Sequence, residues 1–410
     1  MMSDKVKASP RFVAVFLLAM TIAHGIVFWQ ERGRIVAGYG DFSSFYTAGL
    51  LVLRGEGRSL YDRPKQWRLQ QEFAPNVDIQ KGPRPFIRPP FEALIFLPLA
   101  YFSYPVALAI WSLAKIVFLW LTARVLPRAH PFTRICPSWL EVVLCLGFFP
   151  VFFDLIEGQD DILLLVIIAT ALNCLQSGKD VAAGVTLALG LFKFHLVVPI
   201  VIMLWLAGRP RILAGFLPGT AALVALSCVI SGVSVLSTYP AYLLDLNRTP
   251  GVGVVEAQNM PNLRGLLSAL VGRAPYPGQI HWLLLPAGVV AIVLTARLWR
   301  PLINIGSPGL ELGYCLALLV AILTSYYAYS YDMTLLVIPL LLLGGAFLAE
   351  PDLPVVPRHV IAVGLLLVVC TPLYWALMVR LDRPYLLAVP MFILTLGIAG
   401  VMQKPRSAIT

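Results

Sequence analysis

FVAVFLLAMTIAHGIVFWQ, residues 12–30, is the stretch on which the fold reading turns. It is apolar for long enough to cross a bilayer, which takes about 20 residues of helix. It follows Lys5, Lys7 and Arg11 and closes on Trp29, an interfacial anchor. A basic flank before an apolar run also describes a signal peptide. The length of this run and the lack of a small-residue cleavage site favour an uncleaved first membrane helix. The bias of basic residues toward the cytoplasm then puts residues 1–11 inside and residue 31 outside.

Outward from that helix the pattern repeats. The 410 residues are 59% hydrophobic and 13% charged, with a mean hydropathy of +0.82. A soluble chain carries roughly a quarter charged residues, so a soluble enzyme, a disordered chain and a repeat scaffold are excluded. Further spans are expected near 105–126, 139–155, 160–176, 210–230, 279–299, 308–325, 332–348, 357–377 and 385–402. FEALIFLPLAYF (91–102) is too short to span and carries Pro98. The run 182–207 is too long for one pass, and Lys193 and His195 interrupt it, so it is expected to rise and return as a broken hairpin. Such breaks at membrane depth are tolerated where they are buried in protein or line a wet cavity. The expected fold class is an all-α polytopic membrane protein, one domain over 1–410, with about 10–13 transmembrane or membrane-embedded helices.

Charge orients these elements. The formal net charge is +10, with Arg124, Arg128, Arg134, Lys179, Arg209, Arg211, Arg297, Arg300, Arg358, Lys404 and Arg406 marking inside loops. Residues 31–90 then form a long outer loop, in which LYDRPKQWRLQQEF (60–73) suits a helix lying in the headgroup plane. No soluble segment has the basic, aromatic-interleaved pattern of a nucleic-acid binder. The six cysteines (136, 145, 174, 228, 315 and 370) show no metal-type spacing. No metal or cofactor is expected, and no phosphate-binding loop or zinc-protease motif is present.

Polar residues collect on the outer side: Asp41, FFDLIEGQDD (152–161), FKFH (192–195), EAQNMPNLRG (256–265) and SYYAYSYD (325–332). Ionisable groups at a membrane are costly unless solvated or paired, so this asymmetry points to an outward cavity. Asp41 in GYGDFSSFY can act as a general base or cap the following helix. Lys193 can pair with a lipid phosphate or reach for headgroups. Lys115, within an apolar run, has no evident partner.

Taken in order, GDFSSFYTAG…LYD, RPPFEALIFLPLAYFSYP, EGQDD, GLFKFHLVVP before GRPR, and SYYAYSYDMTLLVIPLLLL resemble family 87 of the glycosyltransferases, in the C-type superfamily of polytopic membrane enzymes. The resemblance implies a C-type glycosyltransferase fold with a long first outer loop and interfacial helices. It implies transfer of mannose or arabinofuranose from a polyprenyl-phosphate donor to a lipid or glycan acceptor, on the outer face of a bacterial plasma membrane. Asp41 matches the catalytic base. Lys193, His195, Arg88 and Arg264 are the candidates for the donor phosphate. Tyr46, Tyr61, Asp62, Gln159, Asp160, Asp161, Asn259, Tyr331 and Asp332 are the candidates for substrate binding. Asp161 stands where the family shows Asn. Asp41 stands alone where the superfamily often has a pair of acids, which favours a metal-free mechanism, and attack opposite the leaving phosphate would invert the anomeric centre; no cofactor is implied. The competing class is a transporter or flippase of a lipid or lipid-linked sugar. It calls for a symmetric pair of broken helices, whereas one is evident.

Overall fold

In the computed structural model the described residues are 10–77, 84–126, 138–248, 256–271, 278–304, 308–349 and 355–403. Lys5, Lys7, Arg128, His130, Arg134, Cys136, Lys404 and Arg406 lie outside them. The chain is all-helical, with no strand among the described residues. Five helical stretches are long and apolar enough to cross a membrane: Phe12–Leu53, Tyr104–Val125, Ile212–Ser231, Trp282–Leu302 and Pro384–Met402. Three bent pairs raise that number to eight if each is one span. Asp161–Gln176, Pro308–Thr324 and Asp332–Gly344 are shorter apolar helices. This is a multi-pass membrane protein, as its hydropathy requires.

The first helix runs from Pro10 to Ala37, seven residues beyond the apolar stretch, so the polar loop begins later than residue 31. The loop is itself folded: helices Phe42–Leu53 and Arg63–Phe73 pack together. They build an aromatic core with the segment that follows, in which Phe45 stacks on Phe96 and Phe73 on Tyr104, each at 4.8 Å. Residues 91–102 form only short turns of helix, Ala93–Phe96 and Pro98–Tyr101 among them, because Pro98 removes a donor and blocks continuation.

The run 182–207 divides into Asp180–Leu189 and Leu191–Leu206, bent by 66° at the break. Arg209, past the second arm, donates to Asp180, first residue of the first arm, at 3.0 Å. The ends of the elbow are therefore tied together. Its first arm lies against Ile212–Ser231 at backbone distance: a Cβ added at Gly215 would sit 2.0 Å from the Val181 carbonyl. Small residues four apart, Gly215 and Gly219, permit that approach. The break itself carries Lys193, which sets the centre of the site.

Candidate active site

Helix Phe149–Glu157 ends at Gly158 in the left-handed region (φ 68°), where a Cβ would come within 2.5 Å of that of Phe42. Glycine thus allows both the turn and its contact with the helix that follows Asp41. The turn is fixed from below. Lys115, fully buried, donates to the Asp154 carbonyl at 2.8 Å and to its carboxylate at 2.9 Å. The second Asp154 oxygen accepts from the Asp161 N–H at 3.0 Å. Lys115, unplaced from the sequence, therefore has its partner inside the bundle. The result is a rigid EGQDD turn whose successive side chains aim at two different centres.

The first centre is Asp41. It precedes helix Phe42–Leu53, but its backbone is already helical (φ −65°, ψ −16°) and its side chain makes no capping bond. A capping residue is typically extended, which swings its oxygen toward the second or third N–H. Helical geometry leaves the Asp41 carboxylate free for other donors. Arg84 Nη1 donates to Oδ1, and Gln159 Nε2 donates to Oδ2 at 2.6 Å. Glu157 accepts the Asp41 N–H at 3.3 Å and lies 3.8 Å from Arg84. The Asp41 side chain remains 26% exposed, so a hydroxyl can still reach it. Burial alone would lower the Arg84 pKa, but the Asp41 and Glu157 charges outweigh it and raise it.

The second centre is Lys193. Its ammonium lies 2.5 Å from Asp161, 2.7 Å from Asp332 and 3.0 Å from Asp160, all of them buried. Of its three N–H donors, two go to Asp161 and Asp332, and Asp160 completes the ion-pair cluster. Arg88 adds a bond to Asp160 at 3.0 Å and one to Gln159 at 3.3 Å, and lies 3.8 Å from Glu92. Burial would raise Asp160, but the Arg88 and Lys193 charges hold it below the usual carboxylate range. Burial and the Asp160 charge push Glu92 well up.

The two centres are continuous. Gln159 gives its amide N–H to Asp41 and accepts from Arg88 through its carbonyl, which fixes the orientation of the amide. Tyr331 belongs to both: its ring lies 5.0 Å from the Lys193 ammonium. After burial, the Asp41 and Asp332 charges are the largest causes raising its phenol pKa.

The remaining candidates divide. Asp62 caps helix Arg63–Phe73, accepting from the Lys65 N–H at 3.0 Å. Tyr46 and Tyr61 donate to the carbonyls of Phe102 and Arg88. These three brace the loop. His195, half-buried, meets Tyr327 edge-on. Arg264 lies 3.8 Å over the Tyr326 ring and donates to the Tyr326 carbonyl. Asn259 bonds locally to Glu256, while Asn262 ties its segment to the Ser325 carbonyl. Arg84, Glu157, Glu92 and Asn262 are site residues that the sequence did not single out. Glu157 stood within the quoted FFDLIEGQDD, and Arg84 within a Pro-rich loop of basic residues.

The arrangement offers a partly exposed carboxylate, Asp41, oriented by an amide and an arginine, with Glu157 beside it (26% and 21% exposed), above a closed ionic core. A family model, glycosyltransferase family 87, matches residues 86–325, more than half of the chain. That stretch holds Arg88, the EGQDD turn, Lys193 and Arg264, while Asp41, Tyr331 and Asp332 lie outside it. No curated relative and no solved structure gives a match.

Proposed function

The chain belongs to glycosyltransferase family 87 and is a membrane glycosyltransferase, and from that premise we propose that it transfers a sugar from a polyprenyl-phosphate donor to an acceptor hydroxyl with Asp41 as general base. The observation that carries the proposal is Asp41 itself: a partly exposed carboxylate at a helix start that does not cap, held by Arg84 and Gln159. The acceptor oxygen attacks the anomeric carbon, the bond from that carbon to the phosphate oxygen breaks, and its electron pair leaves with the phosphate. The acceptor proton passes to Asp41. General-base assistance of this kind contributes about 10²–10⁴-fold. Attack opposite the leaving group inverts the anomeric centre, through an oxocarbenium-like transition state.

The leaving phosphate needs a cation. Lys193 and Arg88 are buried among carboxylates, whereas Arg84, though paired with Asp41, is 35% exposed, so the role falls to Arg84 and to Arg264. Burial is the largest influence on the Tyr329 phenol, followed by the charges of Arg264 and Asp41, which supports their sharing one neighbourhood. The sugar is mannose or arabinofuranose, and the site faces the outside of a bacterial plasma membrane. The test is transfer of radiolabelled mannose or arabinofuranose from synthetic polyprenyl phosphates by the full chain in nanodiscs, with the product anomer read by NMR. Transfer with inverted configuration is expected. Retention of configuration, or turnover of a nucleotide sugar in place of the lipid donor, overturns the reading.

A further inference from the structure

The helices that meet at Lys193 also have their far ends together. Asp161–Gln176 starts on the Lys193 ion pair and, over its 16 residues, runs about 24 Å away from it. There Gln176 donates to Glu311, in the first turn of Pro308–Thr324, at 2.6 Å. Arg209 completes the join. One of its terminal nitrogens donates to Asp180 at 3.0 Å and the other to the Ile303 carbonyl. Segments 178–180, 208–212 and 300–304 thus share one buried guanidinium. Trp205, exposed one turn ahead of Gly208, marks this end of the bundle as headgroup level.

What this junction leaves exposed is positive. Lys179 adjoins Asp180, Arg211 lies two residues past Arg209, and Arg300 three residues before Ile303. All three are exposed and make no ion pair among the described residues. The carboxylates of the joined segments are already engaged, Asp180 by Arg209 and Glu311 by Gln176. Three cations carried on one rigid junction, with no acid left to answer them, are complementary to an anion from outside the chain.

The surface that runs from these cations selects the kind of anion. Helix Asp180–Leu189 packs one side on Ile212–Ser231 through Gly184 and turns Val181, Val185 and Leu189 outward, all three exposed. Spaced by four, they form a single apolar stripe. The helix has 10 residues and rises about 15 Å, half of a hydrocarbon core of about 30 Å. The stripe therefore begins at the cations and is at most one leaflet deep. A soluble phosphate would leave it bare, whereas a phospholipid covers it with an acyl chain while its phosphate meets the cations.

We propose that this end of the bundle binds one anionic phospholipid, with its phosphate among Lys179, Arg211 and Arg300 and an acyl chain along Val181, Val185 and Leu189. The site lies away from Asp41 and stands or falls separately from the glycosyl-transfer reading. The test is native mass spectrometry of the full chain in neutral detergent, titrated with dioleoylphosphatidylglycerol or dioleoylphosphatidylcholine. One phosphatidylglycerol is expected to be held at least about tenfold more tightly than phosphatidylcholine. A cation at a lipid surface contributes about fivefold, so the Lys179→Gln/Arg211→Gln/Arg300→Gln variant should lose about a hundredfold. The three single variants, each expected to lose about fivefold, give the same reading should the triple variant not fold. A control variant, Arg32→Gln/Arg68→Gln/Arg124→Gln, removes as many charges from other segments and should keep the wild-type affinity. The deacylated headgroup, glycerophosphoglycerol, should not displace the bound lipid. Equal retention of the two lipids, equal losses in the two triple variants, or displacement by the deacylated headgroup overturns the proposal.

Discussion

Asp41 and Lys193 are joined by one path of hydrogen bonds through Gln159, Arg88 and Asp160 that ends on the Asp160–Lys193 ion pair, yet they are opposite kinds of site. Lys193 is fully buried, hydrogen-bonded to Asp161 and Asp332 and ion-paired with Asp160. Asp41 is partly open, and each of its oxygens has one protein donor and a lone pair to spare. A saturated charge holds elements together, whereas an unsaturated one is available to substrate. The contrast teaches that a basic residue at a break in a membrane helix is not by that fact a ligand for phosphate. Lys193 joins the elbow to the EGQDD turn and to the start of the Asp332 segment.

The contrast can be broken most severely at Asp41. Asp41→Asn keeps size and the Gln159 and Arg84 neighbours but loses the base, so transfer should fall by about 10²–10⁴-fold while the protein stays monodisperse and its thermal midpoint holds. Asp41→Glu should recover little, because the longer arm displaces the carboxylate from its two donors. Near-normal initial rates for the Asn variant would remove Asp41 as base.

The opposite outcome is expected at Lys193. Lys193→Met leaves three carboxylates facing one another in the interior, and breaking a buried pair costs about 3–5 kcal/mol. Its thermal midpoint in detergent should drop sharply, whatever its effect on turnover. A variant that kept its midpoint and lost only donor affinity would show that Lys193 serves the phosphate after all.

Gln159 lies between the two and should behave as a positioning residue. Gln159→Leu removes hydrogen bonds to charged partners, each worth about 1.5–3 kcal/mol, and so should lower kcat about tenfold or more with little change in donor KM. The discriminating readout is Gln159→Glu: a carboxylate beside Asp41 raises the pH needed for turnover, because the base loses its proton less readily. An unshifted pH profile would argue that Gln159 only packs.

The smallest effect is expected at Asp62. Removing the cap in Asp62→Ala costs about 1 kcal/mol, visible as a modest drop in thermal midpoint. A base-type loss of kcat at Asp62 would reverse the assignment of the two aspartates.

Those two aspartates show how far local sequence goes. Both precede a helix, and by spacing either can cap. Asp62 has extended backbone and caps, while Asp41 has helical backbone and does not. Pro64, in the first turn after Asp62, marks that helix start, and no proline follows Asp41. The family resemblance singled out Asp41, whose helical backbone leaves its carboxylate to Arg84 and Gln159.

What the sequence determined by itself is the solvent in which the chain folds. Runs such as 12–30 exceed what water tolerates and suffice for a bilayer, so the all-helical, multi-pass class followed from hydropathy, as did the elbow at Lys193 from an interrupted run. The tertiary structure alone decided which charges meet. Arg84 and Asp41 are 43 residues apart, Gln159 and Asp41 118, and Lys193 and Asp332 139. No periodicity links positions so distant. Their pairing arises because each charge, carried inward by helices selected for apolar packing, must find an opposite charge where water is absent. That pairing leaves Asp41 partly open.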